Sequence, residues 1–278
     1  MSRSLARAGT APLVTVAIPV YNGANYLAEA LQSVSEQSYE HLEIIVCDDG
    51  STDESVEIAR SHADPRVSVY RHSERLGQAG NLGRAIGYAT GTYFKFLFHD
   101  DLLDQEHIAE AVEGFESAGP RVALVTSRRR IIRSDGRPLG IVRGVSRRTR
   151  VLEGDDVIRR CIRSASNLVG EPSFVLTRRE EMLRHLPFRL SYVVDLDVWS
   201  RMLVGRTCVA IGRTLGSFRL SRGSVTSQAR SSQAREVRDF IRLLDHEHPE
   251  LLTSLDIMRG ELRAELNQRL RNAVARLA

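Results

Sequence analysis

Residues 13–50 read LVTVAIPVYNGANYLAEALQSVSEQSYEHLEIIVCDDG. Val14, Val16, Ile18 and Val20 are β-branched residues in a near-continuous apolar run, the pattern of a strand buried on both faces. Asn22 and Gly23 then break the run, and residues 24–37 place Leu27, Ala30, Leu31 and Val34 at helical spacing. A second apolar strand, Leu42 to Cys47, ends in Asp48 and Asp49. Strand, helix and strand with short connections predict a right-handed crossover and a parallel pair.

The same rhythm continues outward. STDESVEIARSHA (51–63) reads as a helix with Ser51 or Asp53 as N-cap, VSVYRH (67–72) as a strand, GQAGNLGRAIGYA (77–89) as a helix and YFKFLF (93–98) as a fourth strand. This predicts an α/β fold, with a mostly parallel central sheet covered by helices on both faces. Such sheets bind ligands beyond the carboxyl ends of their strands. Three ends then converge: Pro19 to Asn22, Asp48 and Asp49, and His99, Asp100 and Asp101. Two adjacent carboxylates at the end of an apolar run repel each other, so a cation, a basic partner or solvent must favour negative charge there.

Beyond Asp104 a helix is expected near 105–118, a strand over VALVTSRRRII (122–132) and a hairpin or mobile loop over 133–150. Helices follow at 153–164 and 194–205, a strand running into a helix at 173–186, and extended chain over 207–227. From Glu236 two amphipathic helices are broken around His248 and Pro249.

The 278 residues, 42% of them hydrophobic, suffice for one large domain or two small ones. Cys47, Cys161 and Cys208 lie far apart with no zinc-type spacing, which fits a reducing compartment. No stretch approaches the ~20 apolar residues of a spanning helix, so a cytoplasmic protein with a disordered lead over 1–12 is expected. Lys95 is the only lysine among 39 basic residues. An arginine bias of this kind suits phosphorylated ligands and equally follows from genome composition. Nucleic acid is disfavoured as a partner, because no aromatic residues interleave the arginines between Arg121 and Arg150.

The turn after the first strand, PVYNGANYL, lacks both GxGxxG and GxxxxGK[ST], which removes dinucleotide redox enzymes and P-loop hydrolases. It also lacks the basic residue that a nucleotidyltransferase needs there. Taken together, VAIPVYNGANYLAEALQSVSEQSYEHLEIIVCDDGSTD, GNLGRAIGYATGTYFKFLFHDDLL, GEPSFVLTRR, YVVDLDVWSRM and FRLSRGSVTS resemble the inverting family 2 glycosyltransferases of GT-A fold.

That resemblance implies a nucleoside-diphosphate sugar donor, UDP-linked by preference, and a glycan, lipid-linked or protein hydroxyl acceptor. It assigns Pro19 and Tyr21 to the base pocket and Asp49 to a base N–H, which an acceptor-only carboxylate can select. Asp101 is expected to hold Mn2+ or Mg2+, with Asp100 near the ribose or behind the metal. Phe98 stands where many relatives carry another aspartate. Asp195 is the implied catalytic base, with Val194 in place of a glutamate, and Asp197 reads as a first-turn acid. Trp199 reads as core before sugar platform. Arg219 or Arg222 is expected at the diphosphate, because Ser221 replaces a histidine that assists the metal in relatives.

The expected organisation is a nucleotide-sugar half over 13–118, an acceptor half over 119–227 and a C-terminal helical segment over 228–278. The last segment leaves homodimerisation and peripheral contact with the inner face of a membrane both open. The departures at Phe98, Val194 and Ser221 keep an inactive nucleotide-sugar-binding protein as the competing reading.

Overall fold

The computed structural model describes residues 11–190, 193–220 and 233–277, with side chains described as far as residue 269. Its strands are β1 (Val14–Val20), β2 (Leu42–Asp48), β3 (Val67–Arg71), β4 (Tyr93–Phe96), β5 (Leu102–Leu103), β6 (Val122–Arg133), β7 (Pro138–Arg143), β8 (Arg150–Glu153), β9 (Val175–Arg178) and β10 (Thr207–Leu220). The helices are α1 (Ala24–Ser35), α2 (Ser55–Ser61), α3 (Gly77–Tyr88), α4 (His107–Ala118), α5 (Gly154–Ser164), α6 (Arg179–Arg184), α7 (Val194–Leu203), α8 (Gln233–Glu247) and α9 (Ser254–Leu277).

The strands form one sheet in the order β3-β2-β1-β4-β9-β6-β10-β5, with β7 on β6 and β8 on β10. The expected parallel frame is present: β1 pairs in parallel with both β2 and β4, and β6 with β10. Strand β9 runs against β4 and β6 and joins the two parallel halves. Pro19 is tolerated in central strand β1 because it falls past the last β1–β4 pair, Ala17 with Phe96.

Alternation along β1 divides the core. Val14, Val16, Ile18 and Val20 pack with Leu27 and Leu31 of α1 and Ile108 and Phe115 of α4. On the other face Ala17, Ile45 and Cys47 meet Ile86 of α3, Ile158 of α5, Trp199 of α7 and Phe240 of α8. Each layer removes apolar area from water, at about 25 cal/mol per Å2. Helices α8 and α9 therefore belong to the same core as the sheet.

Of the hairpin or mobile loop expected over 133–150 the hairpin forms, and one expectation, the capping of α2, changes. Residues 133–150 form the β6–β7 hairpin and lead into β8, because Arg133 N bonds Arg137 O and Gly136 takes φ 81° in the turn. Helix α2 begins at Ser55 and has no cap from its own N-cap side chain. Of the candidate caps, Ser51 serves the start of α1, and Asp53 serves both helices, its Oδ1 accepting from Ser55 N at 3.1 Å. Ser51 Oγ accepts from Asn22 N (2.9 Å), Ser55 Oγ from Gly23 N (2.9 Å) and Asp53 Oδ2 from Ala24 N (3.0 Å). The first N–H groups of α1 have no intrahelical partner, and the neighbouring loop supplies the acceptors.

Candidate active site

The β1–α1 and β2–α2 loops lock together at the sheet's carboxyl edge. Asn22 takes the left-handed conformation, φ 51°, and its Oδ1 accepts from Thr52 N at 2.8 Å. Gly23 has no tolerated alternative, since a Cβ there would lie 2.5 Å from His99 Cδ2. His99 thus packs on the turn, where it braces the first strand's exit.

The two aspartates of CDDG divide their work. Asp48 is fully buried and accepts from Ser51 N at 3.1 Å, so it closes the loop. Asp49 accepts from Leu76 N at 2.7 Å through Oδ1, and its Oδ2 lies 3.9 Å from Arg75 Nε. The Arg75 guanidinium covers the Tyr21 ring, 3.8 Å from its centroid. Tyr21, Asp49 and Arg75 therefore form one flat, polar-edged cluster. Pro19 is buried within β1 opposite Cys47 and backs this corner from below.

At the fourth strand's end the two aspartates differ. Asp101 has no exposed surface; its carboxylate accepts from Ser173 Oγ at 2.6 Å and from Arg219 N at 3.1 Å. Burial holds it well above the usual carboxylate range, and the Asp100 charge adds to this. Asp101 is a tie between β4, β10 and the 3-10 turn Pro172–Phe174, with no face open to an ion. Asp100 keeps its side chain partly exposed. Beneath them Lys95 is 1% exposed, donating to Ser173 O at 2.6 Å and lying 2.9 Å from His107 Nε2. Burial pushes its ammonium down and Asp101 draws it back up.

Arg219 is also corrected. It is 2% exposed, and its fork is spent on Glu29 Oε2 (2.7 Å), Asp100 O (3.0 Å) and Ser134 O (3.2 Å), with Tyr26 beneath the guanidinium. Three of its five N–H donors are thus taken up within the fold. Ser221 and Arg222 lie outside the described residues.

Asp195 sits in the first turn of α7, partly buried. Its Oδ2 accepts from Asn167 Nδ2 at 2.7 Å and its Oδ1 from Leu196 N at 2.8 Å. Burial first, and the Glu171 charge second, push its pKa up to about 6 against the pull of those two donors. Glu171 also raises Asp101, so one short segment, 171–173, couples the strand-end corner to the Asp195 corner. Glu171 is held by the fully buried Arg129, with Nε–Oε2 at 2.6 Å. Asn167 is fixed in turn by Gly170, whose N–H it accepts and whose carbonyl it donates to, both at 2.9 Å.

Trp199 donates to that same Gly170 carbonyl at 2.9 Å and is 2% exposed, which decides for core over sugar platform. Asp197 is a first-turn acid, tied to Arg189 and Arg201. Sequence reading missed Arg75, Asn167 and Arg129. The GEPS motif pointed at Glu171; nothing local marks the others, because their partners are 26 to 42 positions away.

A hard divalent ion fits Asp100, a half-exposed carboxylate at the edge where the loops converge. Among the described residues no three His, Cys, Asp or Glu side chains form a cation cage. The donor set therefore suits an ion that shares its coordination with a bound diphosphate and water. Among the described residues no helix is long and apolar enough to cross a membrane.

Known proteins place this architecture. Residues 15–180, more than half of the chain, match the profile described as glycosyl transferase family 2. An uncharacterized glycosyltransferase of Rickettsia prowazekii is 47% identical over 91 residues, covering 33% of this chain and 28% of that protein. The chain thus spans well under two thirds of that relative. A fragment of S. aureus TarS in complex with UDP-GlcNAc superposes with TM-score 0.69 at 18% identity, covering 93% of this chain and 72% of the fragment. The mannosyltransferase PcManGT of Pyrobaculum calidifontis, in complex with GDP-Man and Mn2+, gives TM-score 0.61 at 22% identity, covering 94% and 71%. With the GT-A fold shared across nearly its whole length and the family profile matched over most of its sheet, the chain belongs to glycosyl transferase family 2.

Proposed function

We propose that this protein transfers a sugar from a UDP-linked donor to a hydroxyl acceptor with inversion, in the synthesis of cell-surface polysaccharide or glycoconjugates. The observation that carries this reading is Asp195, a carboxylate with its pKa pushed up to about 6 and aimed by Asn167. A base of that strength is ionised near neutral pH and still accepts a proton readily. TarS with UDP-GlcNAc and PcManGT with GDP-Man support a nucleoside-diphosphate sugar as donor class.

Tyr21, with Arg75 stacked on its ring, would flank the base, with Asp49 reading its N–H edge. Asp195 takes the proton from the acceptor hydroxyl as the acceptor oxygen bonds to the anomeric carbon. The bond from that carbon to the diphosphate oxygen breaks in the same displacement, which inverts the centre. A divalent cation, Mn2+ or Mg2+, held at Asp100 would supply Lewis-acid stabilisation of the leaving diphosphate. In this reading residues 13–118 hold the donor, residues 119–227 hold the acceptor, and residues 228–278 complete the fold as a helical segment.

The test is nucleotide release from UDP-, GDP- and dTDP-sugars with Mn2+ and a panel of hydroxyl acceptors. Turnover with a UDP-sugar that falls ~100- to 10,000-fold in Asp195→Asn supports the assignment. Tight donor binding with no turnover, and no effect of Asp195→Asn, would leave a nucleotide-sugar-binding protein instead.

A further inference from the structure

Helix α9 is apolar on two sides. Inward, Ile257 and the 2% exposed Ala264 join the core, and Gly260 lets the helix approach α5 so closely that a Cβ would lie 2.9 Å from Ile162 O. Outward, Leu255, Met258, Leu262 and Leu266 are 47%, 51%, 65% and 44% exposed. Their spacing of three and four residues puts them on one face, in a line about 16 Å long at 1.5 Å per residue.

That line is edged by arginine. Leu262 and Leu266 border an open cleft of about 620 Å3 between α5 and α9, together with Arg160, Arg163, Arg259 and Arg263. Of these four arginines only Arg163 is paired with an acid of α9. Glu261 and Glu265 turn toward α8, where they pair with Arg242 and Arg238, and Asp256 pairs with Arg163. Arg259 and Arg263 have no acidic partner among the described residues.

We propose that the outer face of α9, with the adjoining end of α5, docks on the surface of an anionic lipid bilayer. Leucines that enter the headgroup boundary, flanked by arginines that meet its phosphates, are the chemistry of an interfacial helix. Two features favour a flat bilayer over a single bound amphiphile or a second copy. The apolar line runs past the cleft to Met258 and Leu255, which do not border it, so the exposed surface is an edge and not a socket. An isologous dimer through this face would set arginines against arginines, and four half-exposed side chains fall short of the ~800 Å2 per partner of a stable interface.

The location also suits a site that takes its acceptor from that surface. Asn267 Nδ2 bonds Ser164 O at 3.2 Å, and Ser164 and Leu168 border the cleft. Asn167, which holds Asp195, lies in the same loop. Docking itself does not depend on the assigned chemistry.

Vesicle flotation of the full chain tests the proposal. Flotation is expected with vesicles of phosphatidylcholine and phosphatidylglycerol at low salt, and not with phosphatidylcholine alone. The double variant Arg259→Gln/Arg263→Gln should partition more weakly by about fivefold per arginine, and Leu262→Gln/Leu266→Gln should lose flotation. All four positions border open solvent, and unchanged thermal melting of both variants confirms an intact fold. The proposal is overturned if the parent stays unbound with anionic vesicles, or if both variants float as the parent does. It is also overturned if light scattering shows a dimer that the leucine variant dissolves while no vesicle binds, which would assign the face to a second copy.

Discussion

Replacing Asn167 with aspartate changes one group and leaves its shape. In the parent, Asn167 Nδ2 donates to Asp195 Oδ2 at 2.7 Å, while its Oδ1 accepts from Gly170 N at 2.9 Å. Asn167→Asp keeps the second bond, removes the first together with the 2.9 Å Nδ2 bond to Gly170 O, and puts a carboxylate where the donor was. A hydrogen bond to a charged group is worth ~1.5–3 kcal/mol, and 1.36 kcal/mol corresponds to about one pH unit, so the lost donor alone raises the Asp195 pKa by about 1–2 units. The new like charge pushes the same way, and the two carboxylates then titrate as a pair.

A general base must be ionised to act, so activity rises with pH through its pKa. The acidic limb of kcat/KM should move from about 6 in the parent to about 8 in the variant, and the ionised fraction at pH 7 falls about tenfold. The assay is the pH profile of nucleotide release under kcat/KM conditions. Glu171→Gln supplies the opposite sign: it removes the charge that raises Asp195, so its limb should fall below about 6. Opposite displacements cannot come from general loss of structure. If either variant loses rate with the limb unmoved, Asp195 is not the titrating base and the reasoning fails.

Three further outcomes concern stability. Lys95→Met leaves the buried Ser173 carbonyl without its 2.6 Å donor, and a buried acceptor left unpaired costs ~1–3 kcal/mol, so calorimetry should show a melting point about 5 °C lower. Thr253 and Asp256 form a reciprocal cap at the start of α9, with Thr253 N donating to Asp256 Oδ2 at 3.0 Å and Asp256 N to Thr253 Oγ1 at 3.2 Å. Thr253→Ala should cost ~1 kcal/mol in denaturant melts. Asp256 has its pKa lowered from 3.8 to about 2 by its hydrogen bonds from Arg163 and Thr253, against burial. The stability it contributes is present above pH 3.8 and lost as pH falls through about 2, so Asp256→Asn should destabilise at pH 6 and match the parent near pH 2.

Much of the frame was legible because it rests on local periodicity. The apolar runs at 14–20, 42–48 and 93–96 are β1, β2 and β4 in parallel register, and the polar residues that follow each strand meet at one edge. The antiparallel β9 was not legible as such, since four residues, VLTR, carry no sign of the direction in which they run. Residue types also fixed which groups could matter: adjacent carboxylates at strand ends, and an aspartate opening the helix that contains Trp199.

What those groups do was settled by burial and partners, which depend on contacts far along the chain. Asp100 and Asp101 are neighbours of identical chemistry, yet Ser173 and Arg219, 72 and 118 positions away, bury one and leave the other at the surface. Arg219 looked like a phosphate fork, but it is buried and Glu29 and two carbonyls hold it within the fold. Ser51 and Asp53 carry the residue types of a helix cap, yet Ser51 serves a different helix and Asp53 serves both, because α1 arrives with its own N–H groups unmet. The sequence by itself determined the strand-helix order and the inventory of charge. The tertiary structure alone decided which charges are buried, paired and silent and which stay open to a ligand, because desolvation and hydrogen bonding are set by three-dimensional neighbours and not by position in the chain.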